Sequence, residues 1–340
     1  MRLSRAWPIL LFFTYCGCTN DEVLLGVKDM FFVMKEVGHF DTPGYAKDVY
    51  VSGSYAYMAV GYEDNEGRLY IIDVSNPSSP VEVGYYDTPS NAMGVFVSGN
   101  YAYVADWVAG LRIIDVSNPS SPVEVGYYDT IFTFAAQDVY VSGSYVYVTV
   151  SDQFLGGITI LDVSNPSSPQ KVGYYHTPGL TTSGVFVSGN YAYVANGNAG
   201  LRIVDISDPS SPQEIGYYDT PGEAYDVFVL DNYAYVADGN AGLRVIDVSN
   251  PCSPQEVGYY DTQGLAVDVF VSGNYAYVAD WVAGLRIIDV SNPSSPQEIV
   301  AWYPPPFSAR SVFVSANYAY IGYSILGVGG LIIVRIHPGN

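Results

Sequence analysis

The chain has 340 residues, with 34 acidic against 13 basic side chains and a formal net charge of -21. Phosphate binding needs clustered Lys and Arg, so this balance argues against nucleic acid and anionic lipid surfaces as partners. A hydrophobic content of 49%, with 33 Tyr and 14 Phe, supplies ample core of a kind suited to strands.

The first twenty residues differ in kind from the rest. Arg2 and Arg5 precede an apolar stretch from Ala6 to Phe13, too short to span a bilayer, and small residues follow at Gly17-Cys18. This layout predicts a secretory signal over residues 1–17 and a tether over 18–34. Gly17-Cys18 resembles the lipobox of bacterial lipoproteins, in which the Cys becomes acylated, so Cys18 is the expected lipidation site. Tyr15 departs from that motif and Cys16 competes for the role. The remaining thiol, Cys252, replaces a Ser of a repeated turn and staples nothing.

From about residue 35 the chain repeats itself. Glu36–Thr42 reads as a strand of type D that stands before any complete unit. The second unit is the clearest template. Val95-Phe96-Val97 and Tyr101-Ala102-Tyr103-Val104-Ala105 flank Gly99-Asn100, a pair that accepts the positive φ of a tight hairpin; these are strands A and B. Strand C runs from Leu111 to Val116 and stops at Ser117-Asn118-Pro119, because proline removes a ladder donor. Glu124–Thr130 follows as strand D. The Asp that closes strand C recurs at 73, 115, 162, 205, 247 and 289, with Arg335 in the last unit.

Four short antiparallel strands at a period of this length predict an all-β, seven-bladed β-propeller of four-stranded blades over residues 35–340. Strand D precedes the first unit and nothing like it follows Arg335. The N-terminal strand should therefore complete the last blade and remove two exposed edges. The phrase Leu111-Arg112-Ile113-Ile114-Asp115-Val116-Ser117-Asn118-Pro119, with variants at 201–205 and 243–247, resembles the LVIVD repeat family. That resemblance implies bacterial or archaeal surface or secreted proteins with propeller folds, and no settled enzymatic role.

Strand polarity sorts the loops onto two faces. The A-to-B and C-to-D turns are nearly invariant, whereas the B-to-C and D-to-A loops vary, which makes the second face the expected ligand surface. Its ligand-binding candidates are Asp106-Trp107, Asp280-Trp281, Asp238 and Asn196, because a Trp beside a carboxylate suits stacking on a sugar or apolar group. The competing expectation is that both indoles cover a blade edge. Asp48, Asp138, Asp226 and Asp268 begin inner strands at the channel mouth, in series with Gly94, Gly184 and Ser311. They either hold a hard cation such as Ca²⁺ or accept hydrogen bonds from the adjoining D-to-A loops. Arg112, Arg202, Arg244 and Arg286 are expected in ion pairs within their own blades, Arg112 with Asp129.

Catalytic signals in the sequence are weak, although paired carboxylates of the kind a glycosidase uses are abundant in the acid-rich loops. The three His are scattered at 39, 176 and 337, and no Gly-x-Ser-x-Gly, His-Glu-x-x-His or phosphate loop occurs. The expectation is a non-enzymatic binding scaffold, secreted or lipid-anchored at the cell surface, for a protein or glycan. An extracellular carbohydrate-active enzyme and a purely structural envelope component are the alternatives.

Overall fold

The computed structural model describes residues 23–25, 32–130, 135–151, 156–179, 181–302, 307–325 and 327–338. The signal over 1–17 and Cys18 lie outside the described residues.

The repeated units form seven antiparallel sheets, each ordered A-B-C-D from the inside outwards. Blade one is built from Tyr45–Ser52, Tyr55–Gly61, Gly67–Asp73 and Val81–Thr88. Blade six is built from Asp268–Ser272, Tyr275–Ala279, Leu285–Asp289 and Gln297–Trp302. The hairpin glycines take the expected conformation, with Gly53, Gly99, Gly143, Gly189 and Gly273 between φ 57° and 60°. Asp231 and Ala316 fill that position in blades five and seven at φ 54° and 52°.

Blade seven combines Ser308–Ser315, Tyr318–Ile325 and Val328–Pro338 with Phe32–Thr42 from the other end of the chain. The closing ladder runs from Phe32 opposite Pro338 to Thr42 opposite Gly329. The N-terminal strand thus completes the last blade, and it starts at Phe32, upstream of Glu36. Val23–Leu25 pairs with its outer edge, so this blade has five strands and part of the 18–34 segment belongs to the sheet.

The core is distributed between blades. Seven apolar clusters occur, one at each junction. At the first, Tyr57, Leu69 and Ile71 of blade one meet Val95, Val104 and Ile114 of blade two. Period-two alternation explains this, since each strand sends its apolar side chains to the neighbouring blades.

The repeated turn stitches one face together. Asp115 Oδ1 accepts the N–H of Ser117 at 2.8 Å, and the Val116 N–H donates to Asn100 O of the A-to-B turn at 2.8 Å. Bonds to Ser75, Ser164, Ser207, Ser249 and Ser291 repeat this Asx turn, and they hold the carboxyls of Asp73, Asp115, Asp162, Asp205 and Asp247 below their usual pKa.

Candidate functional site

The inner strands line a central channel. Two residues beyond each ring position stands an aromatic side chain: Tyr50, Phe96, Tyr140, Phe186, Phe228, Phe270 or Phe313. Consecutive ring centroids lie 4.8 to 5.0 Å apart around the full circle, giving a closed aromatic collar of tilted contacts.

Above the collar, towards the variable face, lie Asp48, Asp138, Asp226 and Asp268. Each clips its blade to the next: Asp48 Oδ2 accepts the Val95 N–H at 2.8 Å, Asp138 that of Val185 at 2.9 Å, Asp226 that of Val269 at 3.1 Å and Asp268 that of Val312 at 2.5 Å. The donors belong to the inner strand of the following blade, and not to the adjoining D-to-A loop. Asp48 and Asp138 also accept the N–H of Val49 and Val139 at 2.7 Å.

These carboxyls touch channel solvent, yet protein surrounds them on every side. Burial raises Asp48 to about 6. Burial, then the charges of Asp48 and Asp226, pushes Asp138 up; burial, then Asp226, does the same to Asp268, which shares a hydrogen bond with Asp226. Among the described residues no cluster of acids, His or Cys forms that could hold a metal ion. Each of the four carboxylates is engaged in a backbone clip at its own blade junction, and Asp226 and Asp268 also reach each other.

The remaining positions follow from crowding. A β-carbon on Gly184 would run into Asp226 Oδ1, and one on Gly94 would meet the Asp138 backbone at 3.0 Å. Ser311 is 2% exposed and its Oγ has no hydrogen-bond partner.

The B-to-C loops surround this mouth. Asp106, Asp238, Asp280 and Asn196 are fully buried, so their expected role as surface ligand contacts does not match their placement. They tie the B-to-C loop to the preceding D-to-A loop. Asp238 accepts from Thr220 Oγ1 at 2.5 Å and from Gly222 N–H at 2.8 Å; Asp280 does the same with Thr262 at 2.6 Å and Gly264 at 3.0 Å. Asp106 accepts the Ser90 N–H at 3.1 Å. With its amide turned so that both ends are satisfied, Asn196 accepts the Gly179 N–H at 3.1 Å and donates to Thr181 O at 2.9 Å. Burial raises Asp106 to about 6.

The repeated arginines join the same network. Arg112, Arg202 and Arg244 lie opposite Tyr127, Tyr217 and Tyr259 and reach diagonally to Asp129, Asp219 and Asp261 at 2.9, 2.7 and 3.2 Å. Their guanidinium groups are largely buried under Tyr127, Tyr217 and Tyr259, and Arg112 and Arg244 also face Asp106 and Asp238 at 3.7 Å. In blade six Ala301 lies opposite Arg286, which turns to Asp280 at 3.1 Å and Glu298 at 2.8 Å. In blade one Arg68, two residues before Tyr70, meets Asp87 at 2.6 Å.

Trp107 and Trp281 are half-buried, at φ 38° and 46°. Gly197 and Gly239 occupy the equivalent position at φ 51° and 55°. All four pair with the next blade, the Ala136 N–H bonding Trp107 O at 2.8 Å and the Ala309 N–H bonding Trp281 O at 2.9 Å. The residues after the indoles, Val108 and Val282, are 58% and 74% exposed.

The inner-strand residue just before each ring position was invisible to sequence reasoning. Lys47, Gln137 and Arg310 stand on β-bulges between Ala46 and Asp48, Ala136 and Asp138, and Ala309 and Ser311. A bulge turns a side chain out of the period-two pattern, and here all three line the channel mouth with Thr181, Tyr225 and Trp281. The only sequence signal was that the residue preceding each ring position differs in every unit. Asp152, Gln153, Phe154 and Leu155 of one variable loop lie outside the described residues.

Comparison with known proteins bears on fold and family. No curated protein matches the sequence. The computationally designed Ika8 protein superposes with a TM-score of 0.63 at 10% identity, covering 92% of this chain and 95% of that one. The β-propeller domain of Myceliophteria thermophila Cps50 (Swd1) gives 0.69 at 12% identity, over 88% and 99%. The WD40 β-propeller domain of Doa1 gives 0.68 at 10%, over 88% and 96%. At such identities the likeness is one of fold alone. The LVIVD repeat matches seven consecutive segments, residues 43–88, 89–130, 135–177, 180–220, 221–262, 263–302 and 308–336, and the chain therefore belongs to the LVIVD repeat family.

Proposed function

We propose that this propeller is a non-enzymatic binding scaffold, secreted or lipid-anchored through Cys18 at the cell surface, which holds a protein or glycan on its B-to-C and D-to-A face. The observation that supports this reading is the pair of indoles at positive φ. A bulky residue there costs about 1–3 kcal/mol, and such strain collects at functional sites. Gly197 and Gly239 make the same bridge to the next blade, so backbone pairing does not call for Trp. Each indole is followed by an exposed Val where blades four and five carry Asn198 and Asn240.

Trp107→Gly/Trp281→Gly is the matching test, since glycine is what two other blades already use. The wild type and this variant are compared on a glycan array and in partner capture from native envelope. Partners lost with the indoles support the reading, and identical profiles for the two proteins remove it. Turnover of an arrayed glycan replaces the scaffold with a carbohydrate-active enzyme. Labelling with a fatty-acid analogue, lost in Cys18→Ala, tests the anchor.

A further inference from the structure

The mouth of the channel contains a feature that the charge balance makes conspicuous. Lys47 of blade one and Arg310 of blade seven, from neighbouring blades, are both half-buried and both line a cavity of about 520 Å³, near enough for the Arg310 charge to act on Lys47. Among the described residues no carboxylate lies within ion-pair distance of either. Arg68, Arg112, Arg202, Arg244 and Arg286 each have such a partner. In a chain with 34 acids and 13 bases, two cations of one cavity that lack an acid at ion-pair distance are partly desolvated charges without a direct partner, although Asp48, Asp138, Asp226 and Asp268 line the same cavity. Burial, then the Arg310 charge, lowers the Lys47 pKa, and burial lowers that of Arg310.

Arg310 is held in place. Its guanidinium stacks on Trp281 at 4.7 Å, and its Nε donates to Ser324 Oγ at 2.9 Å. That leaves the two terminal nitrogens of the fork, whose geometry suits a carboxylate. The acid nearby, Glu63, accepts from Tyr45 Oη at 3.0 Å, and the Tyr45 ring lies 5.6 Å from Lys47 Nζ. The unpartnered hydroxyl of Ser311 lines the same cavity. Its floor is formed by the ring carboxyls Asp48, Asp138, Asp226 and Asp268, and its other walls carry Gln137, Thr181, Ser183 and Tyr225, neutral hydrogen-bonding groups of the kind that engage sugar hydroxyls.

We propose that this mouth binds an acidic sugar, with its carboxylate between Lys47 and Arg310 and its hydroxyl groups towards Gln137, Thr181 and Tyr225. The acids one residue deeper favour a singly charged carboxylate over a phosphate dianion. This rests on the binding reading above and narrows it to one ligand class.

The test is calorimetric titration of the full chain with methyl glucuronide, methyl glucoside and N-acetylaspartate amide, repeated with Lys47→Gln, Lys47→Arg and Arg310→Gln. Methyl glucuronide should bind at least about tenfold more tightly than the glucoside, and each Gln variant should weaken it about tenfold, as loss of a charge-assisted bond implies. Lys47→Arg, which keeps the charge, should retain most of the affinity. An unchanged melting temperature in Lys47→Gln separates lost binding from lost folding.

No uronide binding, equal binding of the two sugars, or unchanged binding in both Gln variants overturns the proposal. Tighter binding of the aspartate probe overturns the sugar assignment in favour of a protein carboxylate. If indole-dependent partners persist on the array while the uronide fails, only this narrower inference falls.

Discussion

Gly126 in the outer strand of blade two lies against the carbonyl oxygen of Pro166 in the C-to-D turn of blade three, with no room between them for a β-carbon. Gly38, Gly84, Gly173, Gly216 and Gly258 meet Pro77, Pro119, Pro209, Pro251 and Pro293 in the same way. The exception supports the rule: blade six carries Val300 there, and the blade it faces has Arg335 and no Ser-Asn-Pro turn. Gly126→Ala should therefore destabilise the protein by about 1–3 kcal/mol through overpacking, read as a lower melting temperature. An unchanged transition would mean that the junction is not close-packed.

The two sides of each arginine should differ in worth. Asp129 is mostly exposed, so Asp129→Asn should cost under about 1 kcal/mol. Asp280 is fully buried against Arg286, and Asp280→Ala should cost about 3–5 kcal/mol because the buried guanidinium loses one of its two carboxylates and Thr262 and Gly264 lose their acceptor. Denaturant titration of both variants measures the contrast. Equal losses would refute the division into an outer and an inner acid.

Stability should depend on pH through the buried carboxyls. Asp48 goes from 3.8 to about 6 on folding, and Asp138, Asp226 and Asp268 are also raised. The folded protein then binds protons that the unfolded chain has released. The resulting stabilisation is complete below about pH 4 and is lost as the pH rises through about 6. Asx-turn aspartates such as Asp115 and Asp205, whose pKa values are lowered, act in the opposite sense and lose their contribution at lower pH. The melting temperature should peak in mildly acidic buffer and fall towards pH 8. Asp268→Asn should raise it at pH 8 and flatten that fall, whereas a profile identical to wild type would exclude the acid ring as the cause.

Removing residues 21 to 42 takes away the outer strands of blade seven and bares Val328–Pro338 as an edge. The shortened protein should aggregate or melt over a broad range, and calorimetry that matches the parent would refute closure by the N-terminal strand.

Much of the fold was legible because every blade solves the same packing problem with the same residues. Gly99-Asn100, Pro119 and the alternation of Val95, Phe96 and Val97 report local geometry directly, and the unpaired Glu36–Thr42 strand reported how the ring closes. The candidate site was legible only in part. Asp48 and its equivalents could be placed on the channel from strand phase. Their bonds to the next blade could not, because those connect residues more than forty positions apart. Asp106 and Asp280 look like surface acids in a loop, since nothing local shows that Ser90, Thr262 and Gly264 fold over them. Lys47 and Arg310 were hidden by bulges, which shift the phase on which a strand reading depends.

The pairing of Phe32–Thr42 with Val328–Pro338 also sets an order of events during synthesis. The two sides of that ladder lie nearly three hundred residues apart, so Phe32–Thr42 stays unpaired until Val328–Pro338 has emerged, and the sheet keeps an open edge until the two meet.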